Sequence, residues 1–193
     1  MVVRLAAGPL HTQFGTFLEV LYYDGHHECL AIVMGEVQGR EDVLCRVHSH
    51  CVTGHFFNSI ECDCREQMAM AQAMVAQAGA GVIIWLDQEG RGHGHLALMR
   101  SRALRDQEGL SQTEAYVRLG YAADGREYSS AAAILRDLGL ASVVLMTNSP
   151  HKISSLQDAG IHVSGTRPLA LDVAGHAELQ RLYTDKIAQG HRL

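Results

Sequence analysis

Three thiols that have to meet constrain this chain more than any other feature of its sequence. The run Cys51-x10-Cys62-x-Cys64 sets three cysteines within fourteen residues, with Thr53, Gly54, Asn58 and Ser59 between the first and second. Asp63 separates Cys62 from Cys64, so an extended backbone there points both thiols to one side. A loop that folds back brings Cys51 to the same place. Three protein ligands leave the fourth tetrahedral position open, as at a catalytic zinc that keeps a water. Two other readings stand beside this one on spacing alone. One is a closed structural site whose fourth ligand is His48, His50 or His55; the other is a cluster of unliganded thiols. The polar loop and the Asp between two thiols speak against the cluster. Cys29 and Cys45 lie in apolar runs and read as core.

Five cysteines could also build a disulfide framework, but that needs an oxidising compartment. Residues 1–15 carry one Arg and a short apolar stretch without the h-region of a signal peptide. No apolar run approaches bilayer length. A reduced, cytoplasmic protein with no membrane partner is expected. The formal net charge is -5, no long Lys/Arg run occurs, and aromatics make up 6%. The chain therefore advertises neither the basic face nor the stacking platform that a nucleic acid requires. A small anion such as a nucleotide stays compatible, because a few local arginines bind it whatever the global charge.

The 193 residues suffice for one buried core. Runs over 14–23, 29–37 and 43–48 are rich in aliphatic, aromatic and β-branched residues and predict strands, with Asp24-Gly25 as a turn. Over 65–78 the apolar positions Met68, Ala71, Met74 and Val75 take helical spacing, with Gly79 as a stop. A short apolar strand over 81–86 leads into a Gly-rich loop over 87–95. A helix over 96–107 and a loop over 108–111 follow. The C-terminal half predicts a helix from Ser129 or Ser130 to Leu138, and then a strand over 141–146. Ser149 serves as N-cap and Pro150 as the first residue of another helix, ending near Gly160. A last strand covers 161–164. The expectation is α/β: one mixed domain over 1–193, strand-rich in its N-terminal half and βαβ in its C-terminal half, with a tail from about 167 free to be flexible.

The motifs carry a resemblance. Arg46-Val-His48-Ser-His50-Cys51-Val-Thr-Gly followed by Cys62-Asp-Cys64-x-x-Gln67 resembles the zinc and nucleotide site of GTP cyclohydrolase II. Gln88-Glu89-Gly90-Arg91 is similar to that family's loop. Residues 119–126, ending Asp124-Gly125-Arg126, are similar to its catalytic segment, and residues 145–152, with Thr147 and Lys152, to a nucleotide-binding turn. Tyr183-Thr-Asp-Lys186 with Gly190-His191 resembles its tail. The resemblance implies a homodimeric enzyme that opens the imidazole ring of GTP, releasing formate and pyrophosphate to leave a diaminopyrimidinone nucleotide. It further implies Zn2+ on Cys51, Cys62 and Cys64, and Mg2+ with the triphosphate. Arg46, His48, His50, Gln67, Glu89, Gly90, Arg91, Thr147 and Lys152 then line the nucleotide site. Asp124 takes the proton-acceptor position, and Arg126 the place facing the α-phosphate. Because a guanidinium stays protonated, charge stabilisation describes Arg126 better than nucleophilic attack. Arg46, Arg91, Arg126 and Lys152 supply fixed charge for a triphosphate, and Glu89 is an acceptor for the N–H groups of guanine.

The chain departs from the family's pattern at named positions. His50 stands where the family has Glu, and His93-Gly94-His95 replaces Ile-Gly-Leu after the loop arginine. Arg102, eleven residues after Arg91, aligns with the family's active-site tyrosine, so it enters the catalytic candidates as a marker of altered chemistry. Its bland alternative is a surface arginine. Two further readings of the whole chain follow. It can be a paralogue that stops at a formylated ring-opened nucleotide or takes another base, as in the uracil-catabolism branch. It can also be a non-catalytic nucleotide-binding protein with structural zinc.

Overall fold

The computed structural model describes residues 1–191. Seven strands form one sheet in the order β1-β2-β3-β5-β4-β6-β7, where β1 is Val3–Thr12, β2 Gly15–Tyr23, β3 Glu28–Met34, β4 Val43–Ser49, β5 Gly81–Leu86, β6 Val143–Met146 and β7 Val163–Arg167. The first three are an antiparallel meander, and β3 pairs antiparallel with β5. From β5 onward the pairing is parallel, β5 with β4, β4 with β6 and β6 with β7. The strand-rich N-terminal half and the βαβ C-terminal half expected from the sequence are both present.

Seven helices accompany the sheet among the described residues: α1 Val52–His55, α2 Cys64–Ala78, α3 His95–Glu108, α4 Gln112–Arg118, α5 Ser129–Asp137, α6 Pro150–Asp158 and α7 Ala177–Ala188. One face of the sheet buries Val20, Ala31, Cys45, Val47 and Ile84 against Ile134 and Leu135 of α5 and Leu156 of α6. The other packs Phe17, Leu44 and Ile83 on Ala71 and Val75 of α2. Side chains alternate along β4, so Cys45 and Val47 face α5 and α6 while Leu44 and Arg46 face α2. Burial on both faces explains why β4 and β5 read as continuous apolar runs rather than alternating ones.

Several details differ from the sequence reading. A strand precedes residue 14, because β1 gains its backbone partners from β2 although most of its side chains are exposed. Helices α1, α4 and α7 lie where the sequence pattern predicts none; α4 starts on a capping box between Ser111 and Glu114. Helix α5 begins at Ser129 with Tyr128 at the N-cap position, and no side chain makes a capping bond there. Ser149 occupies the N-cap of α6 and Pro150 follows it, but the Ser149 side chain makes no capping bond; its own N–H donates to Thr147 Oγ1 at 3.1 Å.

Candidate active site

The parallel strands β4, β5 and β6 end side by side, and each runs into a segment that carries chemistry. Crevices beyond the carboxyl ends of parallel strands are where such sheets bind ligands. After β4 come His50 and Cys51, after β5 the 87–95 loop, and after β6 Thr147 and the start of α6. These segments line one cavity with α3, α4 and α7.

The three thiols converge: Sγ atoms of Cys51, Cys62 and Cys64 all lie within 4.8 Å of one another, and Cys51 and Cys62 are 3.7 Å apart. Extended alternation is not the cause. Asp63 has φ -105 and ψ 18, and Cys64 is the first residue of α2, so the start of a helix turns the second pair inward. Short α1 bends the chain back after Cys51. Its Gly54 has no room for a side chain, since a Cβ there would sit 2.6 Å from Cys62 Sγ and 3.2 Å from Cys51 Sγ. Hydrogen bonds from Cys62 and Cys64 pull the Cys51 thiol down, and bonding to Cys51 pushes Cys62 up to about 11. Three converging sulfurs with a glycine cleared for them fit a tetrahedral thiophilic ion such as zinc. No histidine joins this group among the described residues. His48 Nε2 instead lies 3.1 Å from His55 Nε2, and His50 Nδ1 lies 3.0 Å from Asp87 Oδ1 with its ring 5.1 Å from Trp85.

Behind the thiols runs a polar chain that links β4, α2 and α7. Arg46 donates to Met146 O at 2.8 Å and to Gln67 Oε1; Gln67 Nε2 donates to Asp63 Oδ2 at 2.7 Å; Lys186 of α7 closes on Asp63. Asp63 is therefore not a spacer but an anchor. Lys152 Nζ is buried and donates to Val47 O at 2.7 Å, and burial lowers its pKa. Arg126 grips Asp124 in two parallel bonds, Nε to Oδ1 at 2.9 Å and Nη2 to Oδ2. Burial raises the Asp124 carboxyl, but the guanidinium more than offsets it and holds the group below its usual range. Arg126 reaches the cavity, whereas Asp124 sits behind it.

The loop after β5 is built from left-handed backbone. Gly90 has φ 59 and Arg91 φ 58, a region that costs a non-glycine residue strain. A Cβ on Gly92 would meet Gly125 O at 2.7 Å, so this loop and the Asp124–Arg126 segment interlock through glycine contact. Arg91 donates to Thr113 Oγ1 and Ala123 O, at 3.0 and 3.1 Å. Glu89 is buried; its Oε2 accepts from Val52 N at 2.7 Å and so ties the loop to α1. Lone pairs remain for a ligand.

Arg102 is not a free surface arginine. Its Nε pairs with Glu61 Oε2 at 2.9 Å and its Nη2 donates to Thr53 Oγ1 at 2.7 Å, joining α3 to both ends of the cysteine loop. The structure thus gathers Arg46, His48, His50, Gln67, Glu89, Gly90, Arg91, Arg102, Arg126, Thr147 and Lys152 with the three cysteines around one cavity. It adds Glu61, Asp63, Arg105, Tyr116 and Lys186, which no local motif singled out as site residues. Cations outnumber carboxylates along the wall despite the net charge of -5.

A family model described as GTP cyclohydrolase II matches residues 4–168. The chain belongs to the GTP cyclohydrolase II family. Relatives named GTP cyclohydrolase-2 include one from Baumannia cicadellinicola subsp. Homalodisca coagulata, 38% identical over 98% of this chain and 96% of its own length. Another, from Streptomyces coelicolor, is 44% identical over 88% of this chain and 77% of its own. A probable bifunctional riboflavin biosynthesis protein of Oryza sativa subsp. japonica is 39% identical over 99% of this chain. The chain spans 36% of that protein and 43% of a Bacillus mycoides riboflavin biosynthesis relative, less than half of each. Among the described residues no helix is long and apolar enough to cross a membrane.

Proposed function

We propose that this protein is a zinc-dependent cyclohydrolase that opens the imidazole ring of GTP and releases formate and pyrophosphate, leaving a 2,5-diamino-6-ribosylamino-pyrimidinone phosphate. The observation that carries the reading is the meeting of three thiols with a surplus of cations in one cavity. Cys51, Cys62 and Cys64 are the residues to hold zinc, which when bound acidifies a water and polarises the ring carbon under attack. Arg46, Arg126 and Lys152 supply charge to the triphosphate, and Glu89 accepts from the N–H edge of guanine. Arg126 is bound to Asp124 in the free protein. When phosphate draws the guanidinium away, Asp124 loses the partner that depresses its pKa and becomes a better proton acceptor. Magnesium belongs to the same reading, held by the hard oxygens of the triphosphate.

The tie from Arg102 to Glu61 and Thr53 favours a second reading, in which ring opening stops at the formylated nucleotide. A cation is fixed there beside the thiols and can hold a ring-opened oxygen. The free thiols fit a reducing, cytoplasmic setting. A homodimer is supported by exposed apolar residues grouped on the loop before α2, Phe56 at 72%, Phe57 at 74% and Ile60 at 73%. Incubation with GTP and zinc, followed by mass spectrometry, tests the function. Formate, pyrophosphate and the pyrimidinone are expected; unchanged GTP overturns the reading, and a formylated product selects the second.

A further inference from the structure

Tyr116 is the one aromatic side chain that reaches the cavity from α4. It is 0% exposed, yet its hydroxyl has no hydrogen-bond partner. A buried hydroxyl left unpaired costs free energy, and such a group in a native protein calls for a missing water or ligand. The ring cannot turn away. The His93 ring lies 5.2 Å from it on one side, Tyr121 meets it edge-on at 6.4 Å, and the Arg91 guanidinium stands 5.9 Å over its face. Its Oη sits under the Glu89–Arg91 turn, 3.2 Å from where a Cβ on Gly90 would be. The neighbouring Ser101 hydroxyl already donates to Leu98 O at 2.8 Å and accepts from Gln112 Nε2 at 2.6 Å, so it has no proton to give Tyr116 and keeps a single lone pair beside it. Burial raises the phenol's pKa, so Tyr116 stays a neutral O–H donor at ordinary pH.

We propose that Tyr116 is a specificity-determining residue whose hydroxyl donates to the 6-oxo group of the bound purine, beside Glu89. A donor next to an acceptor matches an edge that carries a carbonyl next to N–H groups, as guanine does. The inference rests on the reading that the cavity binds a guanine nucleotide.

The test uses Tyr116→Phe, which removes one oxygen and keeps the ring. Stopped-flow binding before turnover compares GTP, 2-aminopurine riboside triphosphate (which lacks the 6-oxo group) and inorganic triphosphate. The variant should bind GTP about tenfold more weakly, as for one lost hydrogen bond. Its affinity for the other two ligands should match the wild type, and its melting temperature should not fall. Unchanged GTP affinity, or an equal loss for all three ligands together with a lower melting temperature, overturns the inference while leaving the function intact. A wild type that binds inorganic triphosphate but shows no added affinity for GTP overturns the function and this inference together.

Discussion

Lys186 places its ammonium 2.9 Å from both carboxylate oxygens of Asp63, the residue between Cys62 and Cys64, across 123 positions of sequence. Asp63 is 3% exposed, so this pair ties α7 to the thiol cluster inside the protein. Replacing Lys186 by Met leaves a buried carboxylate with only Gln67 Nε2 as its side-chain donor. The expected loss is about 2–3 kcal/mol of stability, measured by urea unfolding, with weaker zinc retention. A variant as stable as the wild type would show that the pair is incidental.

The metal site is tested twice. Cys62→Ser should lose zinc because a ligand is gone. Gly54→Ala keeps all three ligands but sets a methyl group against Cys62 Sγ. Elemental analysis should find both depleted. Full zinc in the alanine variant would mean that the thiols bind metal in another geometry.

Lys152 sits in the first turn of α6, where backbone N–H groups favour an anion, and its buried ammonium leans on a single carbonyl. Lys152→Ala should weaken GTP binding by tenfold or more, an order-of-magnitude figure for a lost charge-assisted contact. Guanosine binding should hardly change. Equal losses for both ligands would remove Lys152 from the phosphate site.

Arg102→Tyr cuts the links to Glu61 and Thr53, which should cost about 1 kcal/mol for a partly buried ion pair. If the cation holds a ring-opened intermediate, the product distribution shifts in the variant, as read by mass spectrometry. Identical products at an identical rate would leave Arg102 with a structural role alone.

Burial holds the His48 imidazole well below its ordinary pKa of 6.5, with Arg46 and Lys152 adding to the effect. Above pH 6.5 both folded and unfolded chains carry a neutral ring. Below it the unfolded chain takes a proton that the folded one refuses, so stability falls as pH drops from 6.5 toward the folded-state pKa. The slope from this one group approaches about 1.4 kcal/mol per pH unit. Melting curves of the wild type and His48→Asn between neutral and mildly acid pH should differ in slope, the variant being flatter. Parallel curves would assign the pH dependence elsewhere.

Sequence alone determined the fold class, most strands and helices, and the identity of the thiols, since each rests on local periodicity, turn residues or short spacing. Tertiary structure decided what no local signal carries. Tyr116 falls in a stretch where the local pattern predicts no element, and only the packing of α4 under the 87–95 loop brings it to the cavity wall. Lys186 and Asp63 meet because α7 folds back over the start of α2. Its spacing from Arg91 marks Arg102 as standing in place of the family's tyrosine, but its partners Glu61 and Thr53 follow only from the packing of α3 beside the cysteine loop. Even the thiols converge by a route that the alternation of an extended strand did not foresee, through the first turn of α2 and the bare backbone of Gly54. The physical reason is the same throughout: periodicity says which face a side chain takes, while its partner across the site is fixed by which elements the shared core brings together.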